Sequence, residues 1–168
     1  MKIKNFFVFM AVSLCGLSAH ALPLTGLYQT IDDATNQPKA IVVLYEYADG
    51  DDTELAGRIV ATYNADGTIK DVWGAPESQS SKFVGMDIIR GMEWDADDNR
   101  YEDGKITDPQ SGKVYSSVIW QDVPGKLNVR GKIGPFGRTQ VWNVLNGNDV
   151  PKDLKNLNTS NWKPQIKK

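Results

Sequence analysis

The chain has 168 residues, and 19 Lys and Arg against 21 Asp and Glu give it a formal charge of −2. It contains one cysteine and one histidine. A chain of this size is typical of a single domain, and its mildly acidic balance argues against nucleic acid as the partner.

The first 21 residues have the layout of a secretory signal peptide. Two lysines give a positive start, an apolar run covers residues 6–17, and Ala19 and Ala21 are the small residues that a signal peptidase requires. The run is too short to span a bilayer as a helix. The sequence therefore predicts cleavage after Ala21, and a periplasmic or secreted mature protein that begins at Leu22.

Cleavage at that point changes the available chemistry, because Cys15 and His20 both leave with the signal peptide. The remainder keeps 17 basic residues (19 minus Lys2 and Lys4) against 21 acidic ones, a formal charge of −4. Without histidine or cysteine, Ser-His-Asp and Cys-His nucleophiles are excluded, as are His/Cys metal and haem sites. We therefore expect no cofactor and no metal in the mature protein.

Short β-branched and aromatic runs follow, interrupted by Gly, Pro, Asn and Asp about every 8–14 residues, as in β-sandwiches and barrels. The predicted strands are 25–31, 39–47, 54–64, 68–73, 83–94, 101–106, 113–121, 126–133 and 138–144. Residues 73–82 form a longer predicted loop and a candidate lid. No later segment is long or apolar enough to span a bilayer.

Alternation along two of these strands singles out candidate site residues. On 83–94 the face that is otherwise apolar also carries Arg90, and on the last strand Arg138, Gln140 and Trp142 share one side. A charged residue on an apolar face needs a partner or a ligand. Both arginines are therefore candidate contacts for an acidic ligand group.

Residues 149–168 follow the predicted barrel domain, 22–148. Asp149-Val-Pro151 is a suitable start for a short helix, with proline in the first turn. The polar and basic residues 158–168 are expected to fray.

The acidic clusters are predicted to be solvated hairpin turns. Asp95, Asp97 and Asn99 match the start of a calcium loop, but Arg100 replaces the glycine and Ile106 the glutamate that such a loop needs. Nothing in the spacing of the acids selects a carboxylate pair for glycoside hydrolysis.

Three motifs in the second half of the chain occur together in a known family. They are Gly104-Lys-Ile-Thr-Asp-Pro-Gln-Ser-Gly-Lys-Val-Tyr115, Leu127-Asn-Val-Arg-Gly131 and Gly134-Pro-Phe-Gly-Arg-Thr-Gln-Val-Trp142, preceded by Gly26-Leu-Tyr-Gln-Thr-Ile-Asp-Asp33. Together they resemble secreted bacterial proteins of domain-of-unknown-function family 2147. The resemblance implies a lipocalin-like β-barrel with a central cavity.

The resemblance also implies a contact that closes the barrel. In lipocalin-like barrels an arginine of the last strand covers a Gly-x-Trp motif on the first. Gly26-Leu-Tyr28 and Arg138 would take these roles, with a cation–π contact worth about 0.5–2 kcal/mol. Tyr28 stands where many relatives have tryptophan, and the cysteines that many relatives carry are missing from residues 73–82.

The sequence thus predicts an all-β fold, a single antiparallel lipocalin-like barrel of about eight to nine strands. The predicted function is non-enzymatic binding of a small, largely apolar, fatty-acid-like ligand. The predicted ligand contacts are Tyr28, Arg90, Arg138, Gln140 and Trp142. One alternative is an envelope or host-facing interaction protein with a filled barrel, and another is a carboxylate-dependent hydrolase. A cavity of several hundred Å³ would favour ligand binding.

Overall fold

The computed structural model describes residues 24–75 and 82–165. The predicted signal peptide and its cleavage site lie outside these residues, as does most of the candidate lid. Within the described ranges, no helix has the length and apolar character needed to cross a membrane.

The described chain forms ten strands, because β-branched and aromatic residues alternate between turns rich in glycine, asparagine and aspartate. These are β1 (Gly26–Ile31), β2 (Pro38–Asp49), β3 (Asp52–Tyr63), β4 (Ile69–Val72), β5 (Asp87–Asp95), β6 (Arg100–Glu102), β7 (Lys105–Thr107), β8 (Val114–Val123), β9 (Lys126–Ile133) and β10 (Phe136–Val144).

The strands close into an antiparallel barrel, as the sequence predicts. The order is β4-β3-β2-β1-β10-β9-β8-β6-β5-β7, and pairing of β3 with β5 completes the ring. The short strands β6 and β7 both bridge β5 and β8, so they act as one interrupted strand in a ring of eight. β4 pairs with the end of β3, outside this ring.

Close packing explains the interruption between β6 and β7. Asp103 has a positive φ of 60°. A Cβ on Gly104 would lie 2.4 Å from the Met92 sulfur and 2.6 Å from the Arg90 carbonyl oxygen. Only glycine fits at this point, where the predicted strand 101–106 divides in two.

The two ends of the barrel differ. At the closed end, which carries the turns after β2, β5 and β8, alternating side chains fill the interior. They include Tyr28, Leu44, Leu55, Met92, Tyr101, Ile119 and Leu127, none more than 4% exposed. The open end carries the turns after β1, β3, β7 and β9, and there the interior is not filled.

A second apolar layer lies outside the barrel. After β10, residues 145–165 run over the outer face of β2 and β3, where Leu154 is 2% exposed in a cluster with Ile41, Val43 and Val60. This segment has two single 3-10 turns, Gly147–Asp149 and Lys152–Leu154, in place of the predicted short helix. Strands β2 and β3 are therefore buried on both faces.

A buried ion pair holds the end of this segment. Asp87 accepts hydrogen bonds from Arg58 Nε and Nη2 (both 2.8 Å), Tyr45 Oη (2.9 Å) and the Gln165 backbone N–H (2.8 Å). The Arg58 guanidinium also lies 4.4 Å from the Trp162 ring centroid. The expectation that residues 158–168 fray is wrong as far as residue 165, because these contacts hold the chain against the barrel.

Candidate functional site

A cavity of about 1060 Å³ occupies the open end of the barrel. Its floor consists of side chains from the inner faces of six strands: Val42, Ile59, Ile88, Ile106, Val129 and Trp142. Trp142 is 2% exposed, and the filled closed end lies beneath it. The deep part of the cavity is therefore apolar and closed from below.

Side chains of β10 form a series of polar contacts that runs from this floor to the rim. Trp142 Nε1 donates to Gln140 Oε1 at 3.4 Å, Gln140 Nε2 donates to Asp33 Oδ2 at 2.9 Å, and Arg138 forms an ion pair with the same carboxylate. Alternation places all three β10 side chains on the cavity wall. Arg138 lies at the mouth, with 70% of its side chain exposed.

Charged side chains of both signs surround the rim. Four cations line the cavity, Lys39, Lys70, Lys82 and Arg138, with two carboxylates, Asp71 and Asp108. Two of these cations are paired with the turn after β1, Lys39 with Asp32 at 3.3 Å and Arg138 with Asp33. Lys70 and Lys82 form no ion pair among the described residues, so they are the rim cations open to an acidic group.

The carboxylates at the rim have structural partners. Asp71 accepts a hydrogen bond from Thr62 Oγ1 at 3.2 Å. Asp108 accepts from the Ser111 hydroxyl at 2.6 Å and the Gln110 N–H at 3.0 Å, and these bonds hold the pKa of Asp108 below its usual value. A general acid needs the opposite shift, so Asp108 is suited to stabilising its turn.

Tyr28 does not meet Arg138, and the predicted closing contact between them is wrong. Tyr28 pairs with Val144, and its hydroxyl donates to the Leu24 carbonyl oxygen at 2.9 Å in the closed end. Arg138 lies six residues before Val144 on β10, about 20 Å away at about 3.3 Å per residue. The two side chains are therefore at opposite ends, and Tyr28 does not line the cavity.

Arg90 is also placed differently from the prediction. The pairing of β5 with β3 shifts register twice, between Asp87 and Ile89 and again between Ile89 and Met92. Each irregularity changes which residues face inward. Arg90 therefore leaves the inner face, donates from Nη1 to Thr107 Oγ1 at 3.0 Å and is not among the cavity residues.

The turn that resembles a calcium loop is bridged by its own arginine. Asp95, Asp98 and Glu102 bring carboxylate oxygens within 4.8 Å of one another. Arg100 forms ion pairs with Asp98 and with Glu102, the latter at 2.7 Å. The cluster therefore has the character of the hairpin turn that the sequence predicts.

Several cavity residues were not among the predicted ligand contacts. They are Lys39, Lys70, Tyr63 and Tyr115, with Ile133 and Phe136 at the lip. Most lie on strand ends and turns, where alternation gives no information about direction. The signal that could have found the lip is the Ile133-Gly-Pro-Phe136 turn, whose two large apolar residues have no place in a solvated hairpin.

An eight-stranded antiparallel barrel with one filled end and one open cavity is a lipocalin-like protein. Residues 26–144 match the family described as "Uncharacterized protein conserved in bacteria (DUF2147)". The chain belongs to this family, and the resemblance drawn from the motifs is confirmed.

Among solved structures, the fold is similar to that of protein HP1028 from the human pathogen Helicobacter pylori, which is described as belonging to the lipocalin family. The similarity covers 79% of this chain and 87% of that one, with a TM-score of 0.54 and 20% sequence identity. At that identity the likeness shows the fold alone. No curated protein matches the chain.

Proposed function

We propose that this chain is a non-enzymatic binding protein that holds one small, largely apolar ligand in the cavity at the open end. The observation that carries the proposal is the cavity of about 1060 Å³ with an apolar floor and a polar rim. Ligand sites of soluble proteins are commonly about 300–1,000 Å³, with mainly apolar walls and a few oriented polar groups.

The arrangement of the walls suits an elongated ligand with an acidic head group. Its apolar body would contact Val42, Ile59 and Trp142 at the floor, and its head would lie at the rim beside Lys70 and Lys82. Arg138 is already paired with Asp33, so an acidic head group at Arg138 must displace that carboxylate. Lys70 has no such competitor among the described residues.

The two alternative functions, an interaction protein with a filled barrel and a carboxylate-dependent hydrolase, have less support. A filled barrel would favour an interaction protein, but only the closed half is filled. A hydrolase needs a carboxyl group with a raised pKa beside a second carboxylate. Asp108 has its pKa lowered by the bonds within its own turn. From the predicted signal peptide we also propose that the protein acts in the periplasm or outside the cell.

Gly131 offers a direct test because it faces the cavity in ordinary strand conformation. A Cβ placed on it would lie 3.5 Å from Ile106 Cγ2 and from Tyr115 Cβ, which is normal contact. Gly131→Ala should therefore keep the cavity, whereas Gly131→Leu should place a branched side chain inside it. We expect Gly131→Leu to weaken binding of a fluorescent fatty acid at least about tenfold, and Gly131→Ala to change it little.

Circular dichroism and urea denaturation serve as the control that both variants remain folded. The head group is tested by comparing the fatty acid with its methyl ester in Lys70→Gln and Arg138→Gln. Both variants should bind the fatty acid several-fold more weakly than the wild type and bind the methyl ester as the wild type does. Equal binding by Gly131→Leu and the wild type, or no binding of either probe to the wild type, would refute the cavity as a ligand site.

A further inference from the structure

The hairpin between β9 and β10 presents an apolar tip to solvent. Phe136 is 80% exposed and Ile133 is 59% exposed, and Val114, which begins the adjoining strand β8, is 47% exposed. Gly134 supplies the positive φ of 55° that the turn needs, and Pro135 follows it. The turn geometry does not require an aromatic or β-branched residue on either side, so its exposed Phe136 and Ile133 have no structural explanation in the fold.

Cations surround this tip. The hairpin segment 130–138 contains Arg130, Lys132 and Arg138 and no acidic residue. Arg138 is paired with Asp33 of the turn after β1, so Arg130 and Lys132 are the cations that belong to the tip. The other turns at the open end differ, since the turn after β1 carries Asp32 and Asp33 and the turn after β3 carries Asp66. An apolar tip with a cationic collar is therefore confined to one side of the mouth.

We propose that the β9–β10 tip docks on an anionic lipid bilayer. Phe136 and Ile133 enter the boundary between head groups and acyl chains, and Lys132 contacts lipid phosphates. Apolar side chains beside cations give interfacial binding of this kind, because burial of apolar area and attraction to anionic lipid act together. Ile133 and Phe136 also line the cavity mouth, so docking places the mouth against the lipid.

Neither a second copy of the chain nor another protein fits the tip as well. A specific protein interface usually buries at least about 1,200 Å², and two side chains on a narrow hairpin with one on the adjoining strand supply much less. Symmetric pairing of two tips would also bring Lys132 close to its own copy, which is unfavourable. A fluid bilayer needs no matching surface.

The test is co-sedimentation of the purified protein, without added ligand, with vesicles of phosphatidylcholine alone or with one quarter phosphatidylglycerol. We expect binding to the anionic vesicles, reduced about tenfold by Phe136→Ser and about fivefold by Lys132→Gln. Val123→Ser is the matched control, because Val123 is 57% exposed at the opposite end of the barrel. A Phe136→Trp variant should show a blue-shifted emission with anionic vesicles.

The proposal is overturned if Phe136→Ser binds as the wild type does, or if Val123→Ser reduces binding equally. It is also overturned if sedimentation shows a dimer that Phe136→Ser abolishes. Because no ligand is present, a failure here is distinct from a failure of the cavity as a ligand site. Fatty-acid binding in solution with no vesicle binding would refute the docking alone.

Discussion

Replacing Asp87 with asparagine should be among the most damaging single changes in the described chain. The substitution keeps the shape of the side chain and removes the only formal negative charge that pairs with Arg58 among the described residues. The Arg58 side chain is 5% exposed and that of Asp87 is 0% exposed. Burial alone would lower the pKa of the Arg58 guanidinium, but the hydrogen bonds and charge of Asp87 outweigh burial and raise it. Without Asp87 only the effect of burial remains, but a guanidinium is not deprotonated in proteins, so Arg58 stays charged and loses its partner.

The expected loss of stability follows from the unpaired charge that the substitution leaves on Arg58. Breaking a buried pair by removing one partner costs about 3–5 kcal/mol, because the other charge is left uncompensated. Asp87 also accepts from Tyr45 and from the Gln165 N–H, so the 145–165 segment loses an anchor as well. Against a typical domain stability of about 5–15 kcal/mol, the loss is a large fraction of the total.

The assay is urea denaturation followed by circular dichroism, with Asp33→Asn as the matched control. Asp33 also pairs with an arginine, but the Arg138 side chain is 70% exposed, and such pairs contribute at most about 1 kcal/mol. If Asp87→Asn does not fold, Arg58→Met with Asp87→Leu should restore folding, since apolar replacement of a buried pair is often neutral. A cost for Asp87→Asn no greater than that for Asp33→Asn would refute the reasoning.

Two further predictions concern the closed end of the barrel. Burial raises the pKa of Tyr28 and Tyr101 to about 12, against about 10 in an unfolded chain. The stability from their neutral hydroxyls is therefore full below about pH 10 and is lost as the pH rises towards 12. The urea midpoint of the wild type should fall as the pH is raised from 9 to 11, and that of Tyr28→Phe should fall less steeply. Equal midpoints of the wild type at pH 9 and pH 11 would contradict this. Gly104→Ala should cost about 1–3 kcal/mol or more, because its Cβ would meet backbone oxygens. The control Gly131→Ala should cost little, and equal thermal midpoints for the two would count against the packing argument.

The barrel could be predicted from the sequence because strand alternation and turn residues are local signals. The strand over residues 126–133 has the predicted bounds, and Arg138, Gln140 and Trp142 share a side as alternation requires. The alternation of apolar and polar residues shows on which face of the sheet a side chain lies, but not where it lies along the barrel axis. For that reason it could not show that Tyr28 and Arg138 lie at opposite ends.

The position of Arg90 depends on irregular pairing, which the sequence indicates only weakly. Gly91, with a positive φ of 63°, follows it directly and is the one local sign of a bulge. The partner of Arg58 was equally hidden, because Asp87 lies 29 residues away on a strand that pairs with β3 only in the closed ring. A clue existed in β3 itself, where Leu55-Ala-Gly-Arg-Ile-Val-Ala61 is apolar on both sides of the arginine.

The segment that packs over β2 and β3 has a consequence for folding kinetics. The contact between Arg58 and the Lys163 carbonyl oxygen joins residues 105 positions apart, and β1 finds its second neighbour only in β10. Closing such long loops costs entropy before the contacts form, which slows folding in proteins rich in non-local pairs. Tyr45 stays uncovered until Trp162, whose ring lies 5.4 Å from its own, packs against it. The nascent barrel therefore has an open edge and an apolar flank for as long as its C-terminal end is missing.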